Sequence, residues 1–131
     1  MTRHTGGLER AERALRVAIA AVFLIAAGMK LAALDFEVAA FARFGYAPWF
    51  MVAIGAGQLA GAALLLTRRF AGAGALLLAA IMVGAVVSHL RAHDPLAMAV
   101  PASLLLVLLL GIAYARRRDW LGGMRAAGLR P

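Results

Sequence analysis

Three polar side chains interrupt long apolar runs in this sequence: Lys30, Gln58 and His89. Polar groups at membrane depth are costly, so they mark either a ligand site or hydrogen bonds between helices. Lysine brings a charge and three N–H donors, the glutamine amide both donates and accepts, and imidazole is the side chain that exchanges protons near neutral pH. Met82 joins them, because Leu78, Met82, Ala85 and His89 follow helical spacing and share one stripe. Turned inward, that stripe makes a pocket with an amide and a thioether at its floor and Lys30 with His89 at its mouth. Pockets of this kind between helices suit amphiphilic or ring-shaped ligands.

Depth separates these residues. Counted at about 1.5 Å per residue from the Leu34, Leu90 and Pro48 ends of their runs, Lys30 and His89 lie within roughly 6 Å and Gln58 roughly 15 Å in. Each has a plainer reading as well. Lys30 is shallow enough to snorkel, Gln58 can bond a neighbouring helix, Met82 can simply pack, and His89, Arg91, His93 and Asp94 can be ordinary interfacial polarity. His89 and His93 are one helical turn apart, a spacing that can chelate, but a third ligand would have to come from Asp35, Glu37 or Asp94 in loops, so no metal is assigned. With no cysteine in the chain, disulfides, thiolate zinc sites and iron–sulfur ligation by its own residues are excluded. No Ser/His/Asp set, phosphate loop or carboxylate pair sits at membrane depth, and no catalytic residue is assigned.

The elements that must position these residues are apolar throughout. Hydrophobic residues make up 64% of the 131, charged residues only 15%, and mean hydropathy is +0.86, which is the composition of a membrane protein. Four runs, 14–34, 48–66, 70–90 and 95–114, each approach the roughly 20 residues a spanning helix needs. Strand alternation is missing, so a β-barrel fails on pattern. The expectation is an all-α polytopic protein, an antiparallel four-helix bundle forming a single membrane domain over 1–131, with basic tails at 1–13 and 115–131. A signal peptide over residues 1–34 fits less well, because the apolar run continues past Ala27 without a small-residue cleavage site.

Eleven Lys and Arg fall on the side of the termini and the middle loop, against three, Lys30, Arg43 and Arg91, on the other. That bias predicts both termini in the cytoplasm. The arginines cluster at the ends of apolar runs and not along an aromatic face, so the partner is the lipid bilayer and not nucleic acid. Thirteen arginines against one lysine, with abundant alanine, fit the codon usage of a G+C-rich bacterial genome. The first connection, "DFEVAAFARFGYA", mixes charges with Phe36, Phe41, Phe44 and Tyr46, and predicts an amphipathic segment capping one mouth of the bundle. Gly57 and Gly61 form a GxxxG, and Ala80 with Gly84 repeats the spacing, which predicts close packing of the second and third helices. Pro101 predicts a bend in the fourth that widens the same end.

Taken together, "FLIAAGMKLAAL", "FARFGYAPWFMVAIGAGQLAGAALLLTRRF" and "AAIMVGAVVSHL" resemble the DoxX-like membrane proteins, which carry a Gly-x-Lys-Leu ending the first helix, a Gly-rich second helix and a Met-x-x-Ala-x-x-x-His third. Covering roughly Arg16 to Tyr114, the family pattern falls on Gly28, Lys30, Leu31, Gly45, Gly57, Gln58, Gly61, Met82, Ala85 and His89. Many members have glutamate where this chain has Gln58, and a glutamine relays no proton, although it still hydrogen-bonds a carbonyl. The resemblance implies a four-helix bacterial inner-membrane protein linked to quinol oxidation or to a membrane oxidoreductase. With the polar residues above, it implies binding of a quinone or another lipophilic carbonyl compound by Lys30, Gln58, Met82 and His89. The chain would then be a small subunit alongside a redox partner protein. Two further readings stand beside it: a scaffold or homo-oligomeric subunit built on the GxxxG face, and a transporter of small amphiphiles.

Overall fold

The computed structural model describes residues 2–126 and 128, and among these there is no strand. Six helices follow one another: α1 (Thr2–Leu31), α2 (Asp35–Arg43), α3 (Pro48–Leu66), α4 (Ala71–Arg91), α5 (Leu96–Ala115) and α6 (Arg117–Ala126). Four of them, α1, α3, α4 and α5, are long and apolar enough to cross a membrane. Buried all round by lipid and neighbours, such helices satisfy their backbone internally. The protein is therefore a multi-pass integral membrane protein.

The helices pack side by side in the order α1, α3, α4, α5, with α4 the most buried and α1 meeting α5 only narrowly. Their shared core runs from Ile19 and Phe23 through Ala62 and Leu65 to Ala75, Leu78, Leu109 and Ile112. It fills the middle of the bundle and the half nearest the termini. Close approach of α3 and α4 there depends on missing side chains. A Cβ on Gly74 would lie 2.7 Å from both the Gly61 carbonyl and the Leu65 amide nitrogen, and one on Gly61 would lie 2.6 Å from Leu78. Gly57, further along α3, would bring a Cβ to 3.2 Å from Ile81. Gly84 differs from its expected packing role, because a Cβ there meets nothing within 4 Å.

Both terminal segments are largely helical over their described residues. At about 1.5 Å per residue the 30 residues of α1 reach roughly 45 Å, past a hydrocarbon core of about 30 Å. The first turns carry the charges of Arg10, Glu12 and Arg13 beyond it. Arg116 donates from Nε and Nη2 to the two oxygens of Glu12, both at 3.0 Å, and joins α5 to α1 where their packing is thin. Arg16, buried, lies 2.8 Å from Glu12 and donates to the Leu65 carbonyl at 2.8 Å, satisfying an end of α3 that has no helical partner. Trp120 of α6 donates to the Ala113 carbonyl at 2.9 Å and covers Gly72. The end of the basic tail, Arg130 included, lies outside the described residues. Pro101 does not break α5, which runs through it as one helix.

Candidate functional site

At the end of the bundle remote from the termini, α3 and α4 enclose a cavity of about 660 Å³, roofed by α2 and the turn after it. Phe50, Ile54 and Gln58 line it from α3, successive turns of one face. From α4 come Met82, Ala85, Ser88 and His89 with Ala80, Ile81 and Gly84, and from α1 comes Lys30. Lys30, Gln58, Met82 and His89, the residues singled out by type and spacing, all line this one space.

Lys30 does not snorkel. It is buried, 9% exposed, and its Nζ lies 3.2 Å from Oε1 of Glu37, itself buried. The pair forms because α1 stops at Leu31 and the chain reverses through Ala33, whose φ is +51°. Backbone bonds from Leu34 to Met29 and from Ala33 to Lys30 close that reversal. α2 then brings Glu37 back over the end of α1. Gly55 makes room on the other side: a Cβ there would stand 3.0 Å from Cβ of Lys30. The lysine stem lies flat on α3.

Gln58 is 3% exposed and makes no hydrogen bond among the described residues, its Oε1 being fully enclosed. It is not the interhelical glue that an amide at this depth often provides. Met82 is 6% exposed and belongs both to the cavity wall and to the core.

His89 is drawn into a polar group at the cavity rim. Its Nδ1 donates to Oδ2 of Asp94 at 2.7 Å, and Nη2 of Arg43 donates to the same oxygen at 2.9 Å, which ties α2 to the α4–α5 turn. The hydrogen bond from His89, aided by the charge of Arg43 and opposed by burial, holds the Asp94 carboxyl below the usual carboxylate range. The ring of Phe44 stands edge-on to His89 at 5.2 Å. His93 does not share this face: α4 ends at Arg91, and His93 turns away from helical geometry at φ +56°. The one-turn spacing of the two histidines therefore makes no chelate.

Tyr46 and Ser88 complete the rim. Their oxygens are 2.7 Å apart, and Ser88 spends its proton on the Gly84 carbonyl, so the tyrosine hydroxyl donates. Phe41, Phe44, Tyr46 and Phe50 make a continuous aromatic wall, with Tyr46 and Phe50 centroids 4.8 Å apart. Sequence reasoning missed Glu37 as the partner of Lys30, and missed the Tyr46–Ser88 and Arg43–Asp94 links. For Glu37 the signal was slight, an acid flanked by Phe36 and Val38 just after a helix end. The other two join positions 42 and 51 residues apart and left no local trace.

The arrangement can hold a flat or elongated apolar molecule against aromatic rings, offer it a free amide at depth, and meet its polar end with an ammonium and an imidazole. Compared with known proteins, residues 14–111 match the family model described as DoxX-like family. No curated protein and no solved structure matches the chain.

Proposed function

The chain belongs to the DoxX-like family, and from that premise we propose that it binds a quinone, or a similar lipophilic carbonyl compound, in the cavity beneath α2. In this reading it is a small subunit of a redox or stress-response system in the bacterial inner membrane. The excess of Lys and Arg around the termini supports a cytoplasmic location for both. The single observation that carries the reading is Gln58, buried against the cavity with no hydrogen bond among the described residues. Buried polar groups without partners are rare, and a ligand is the simplest partner for one that lines a pocket.

The chemistry fits both oxidation states of such a ring. Nε2–H of Gln58 donates to a carbonyl, and turning the amide lets Oε1 accept from the corresponding hydroxyl. Lys30 keeps two N–H donors beyond the one directed at Glu37. His89, oriented through Nδ1 by Asp94, presents Nε2 as the atom able to take or return a proton. A bound quinone would supply reversible two-electron chemistry, while these side chains bind and orient the ring and shield it from water. Electrons would pass to or from a partner protein.

Protein purified in mild detergent is expected to retain such a compound at near one per chain, identified by mass spectrometry of its organic extract. Gln58→Ala should retain about tenfold less, the loss of one buried hydrogen bond at about 1.4 kcal/mol. Wild type carrying only bulk phospholipid would sink the proposal and put the scaffold reading in its place.

A further inference from the structure

We infer that the ligand of this cavity is a tailed amphiphile that passes in from the lipid side, its tail leaving across Ala80 and Gly84 while its polar ring lies against Gln58. The inference rests on the lipophilic-ligand reading above and specifies the chemical class and the route. Along α4 the cavity wall changes character: Met82 and Ser88 are buried, whereas Ala80 and Gly84 are exposed, yet all four line the same space. A residue that is both cavity-lining and exposed in the middle of a spanning helix marks an opening toward hydrocarbon, not toward water. Gly84 has nothing within 4 Å of where a Cβ would be. Below this sill α3 and α4 close on each other through Gly57 against Ile81 and Gly61 against Leu78.

The end beneath α2 is polar by contrast. Across the roof stand the Lys30–Glu37 pair, the Arg43–Asp94 pair and the Tyr46–Ser88 bond. A molecule arriving there meets paired charges, and one sliding over Ala80 and Gly84 meets none. Val83 and Val87, exposed beside the sill, continue the apolar surface on which a chain would lie. Gln58 points independently to a ligand, because it is an unpartnered amide, 3% exposed, on the wall opposite. The tail is what lets a molecule share its apolar surface between the cavity and the bilayer.

The test uses the full chain in nanodiscs and two probes: a methoxy-substituted methylbenzoquinone, and the same ring carrying a decyl chain. Bound probe is counted above protein-free nanodiscs. Wild type should bind the decyl probe more tightly than the bare ring. Gly84→Phe and, separately, Ala80→Phe should weaken the decyl probe about tenfold while changing the bare ring less than about twofold. Ile25→Phe, on the exposed face of α1 and outside the cavity lining, should change neither. Far-UV circular dichroism confirms each variant is folded, and having two sill variants guards against the failure of one. Equal binding of both probes by wild type, with the decyl probe unaffected in both sill variants, would overturn the portal and leave the quinone reading standing. Binding of neither probe to wild type would overturn both.

Discussion

The Lys30–Glu37 pair offers the sharpest test of how the roof is held. Its charged atoms are 3.2 Å apart and the side chains are 11% and 10% exposed, so water screens them little. At an effective dielectric of about 20, unit charges at that separation attract by about 5 kcal/mol. Removing one partner leaves the other ion buried against aromatic and aliphatic groups, which typically costs about 3–5 kcal/mol. Glu37→Leu and Lys30→Met should each lose about that much stability, whereas the double variant, with no buried charge, should come within about 2 kcal/mol of wild type or exceed it. The assay is reversible unfolding by SDS in dodecylmaltoside micelles, followed by circular dichroism, with the four proteins forming a double-mutant cycle. A Glu37→Leu cost below about 1 kcal/mol would show that Lys30 reaches the interface once freed. That result, or additivity of the two single changes, refutes the buried-pair account.

Two other outcomes follow from the same geometry. Gly74→Ala places a methyl 2.7 Å from backbone atoms of α3 that cannot step aside, and should cost about 1–3 kcal/mol in the same unfolding assay. Gly84→Ala, with open space around it, should gain about 0.5–1 kcal/mol from helix propensity, and equal effects at the two sites would contradict the packing described. Asp94 sets an acid limit on the roof. Because its folded carboxyl titrates lower than in the unfolded chain, its contribution is complete above the ordinary carboxylate value and is lost as pH falls through the lower, folded one. The stability difference between wild type and Asp94→Asn should therefore be constant from about pH 7 to about pH 5 and shrink below about pH 4. A difference that stays flat at lower pH would remove Asp94 from the latch.

What the sequence reveals of this fold, and what it hides, follows from the range of the interactions. Four runs of about 20 apolar residues announce spanning helices, because the bilayer sets that length directly. Lys30, Gln58 and His89 stand out because few polar residues are tolerated where they lie. Gly57 and Gly61 mark a packing face through i, i+4 spacing, but Ala80 and Gly84 have the same spacing and face an opening. Spacing identifies residues on one face of a helix without saying what that face meets. Pairing of Lys30 with Glu37 was hidden for a different reason. It needs a chain reversal at Ala33, a left-handed position with no glycine to advertise it. The charges at 1–13 and 115–131 read as tails because charge usually marks solvent, yet Glu12 pairs with both Arg16 and Arg116 and joins α1 to α5.

The two halves of the bundle are held by opposite means, and the cavity depends on the contrast. Near the termini, glycines let the backbones of α3 and α4 touch, and the Glu12 cluster ties in α1 and α5, so that half cannot spread. At the other end the same two helices are kept apart, and polar contacts together with the Phe41 ring against Phe50 carry α2 across the gap. Left empty and closed, an apolar hollow of 660 Å³ would cost about 16 kcal/mol at about 24 cal/mol per Å³. That exceeds the whole stability of a typical domain, about 5–15 kcal/mol. Such a gap is tolerable when it is filled, and the proposed route over Ala80 and Gly84 fills it from the lipid. On this reasoning whatever fills it is a component of the folded protein, and the unpaired amide of Gln58 selects, among lipophilic occupants, one that can hydrogen-bond.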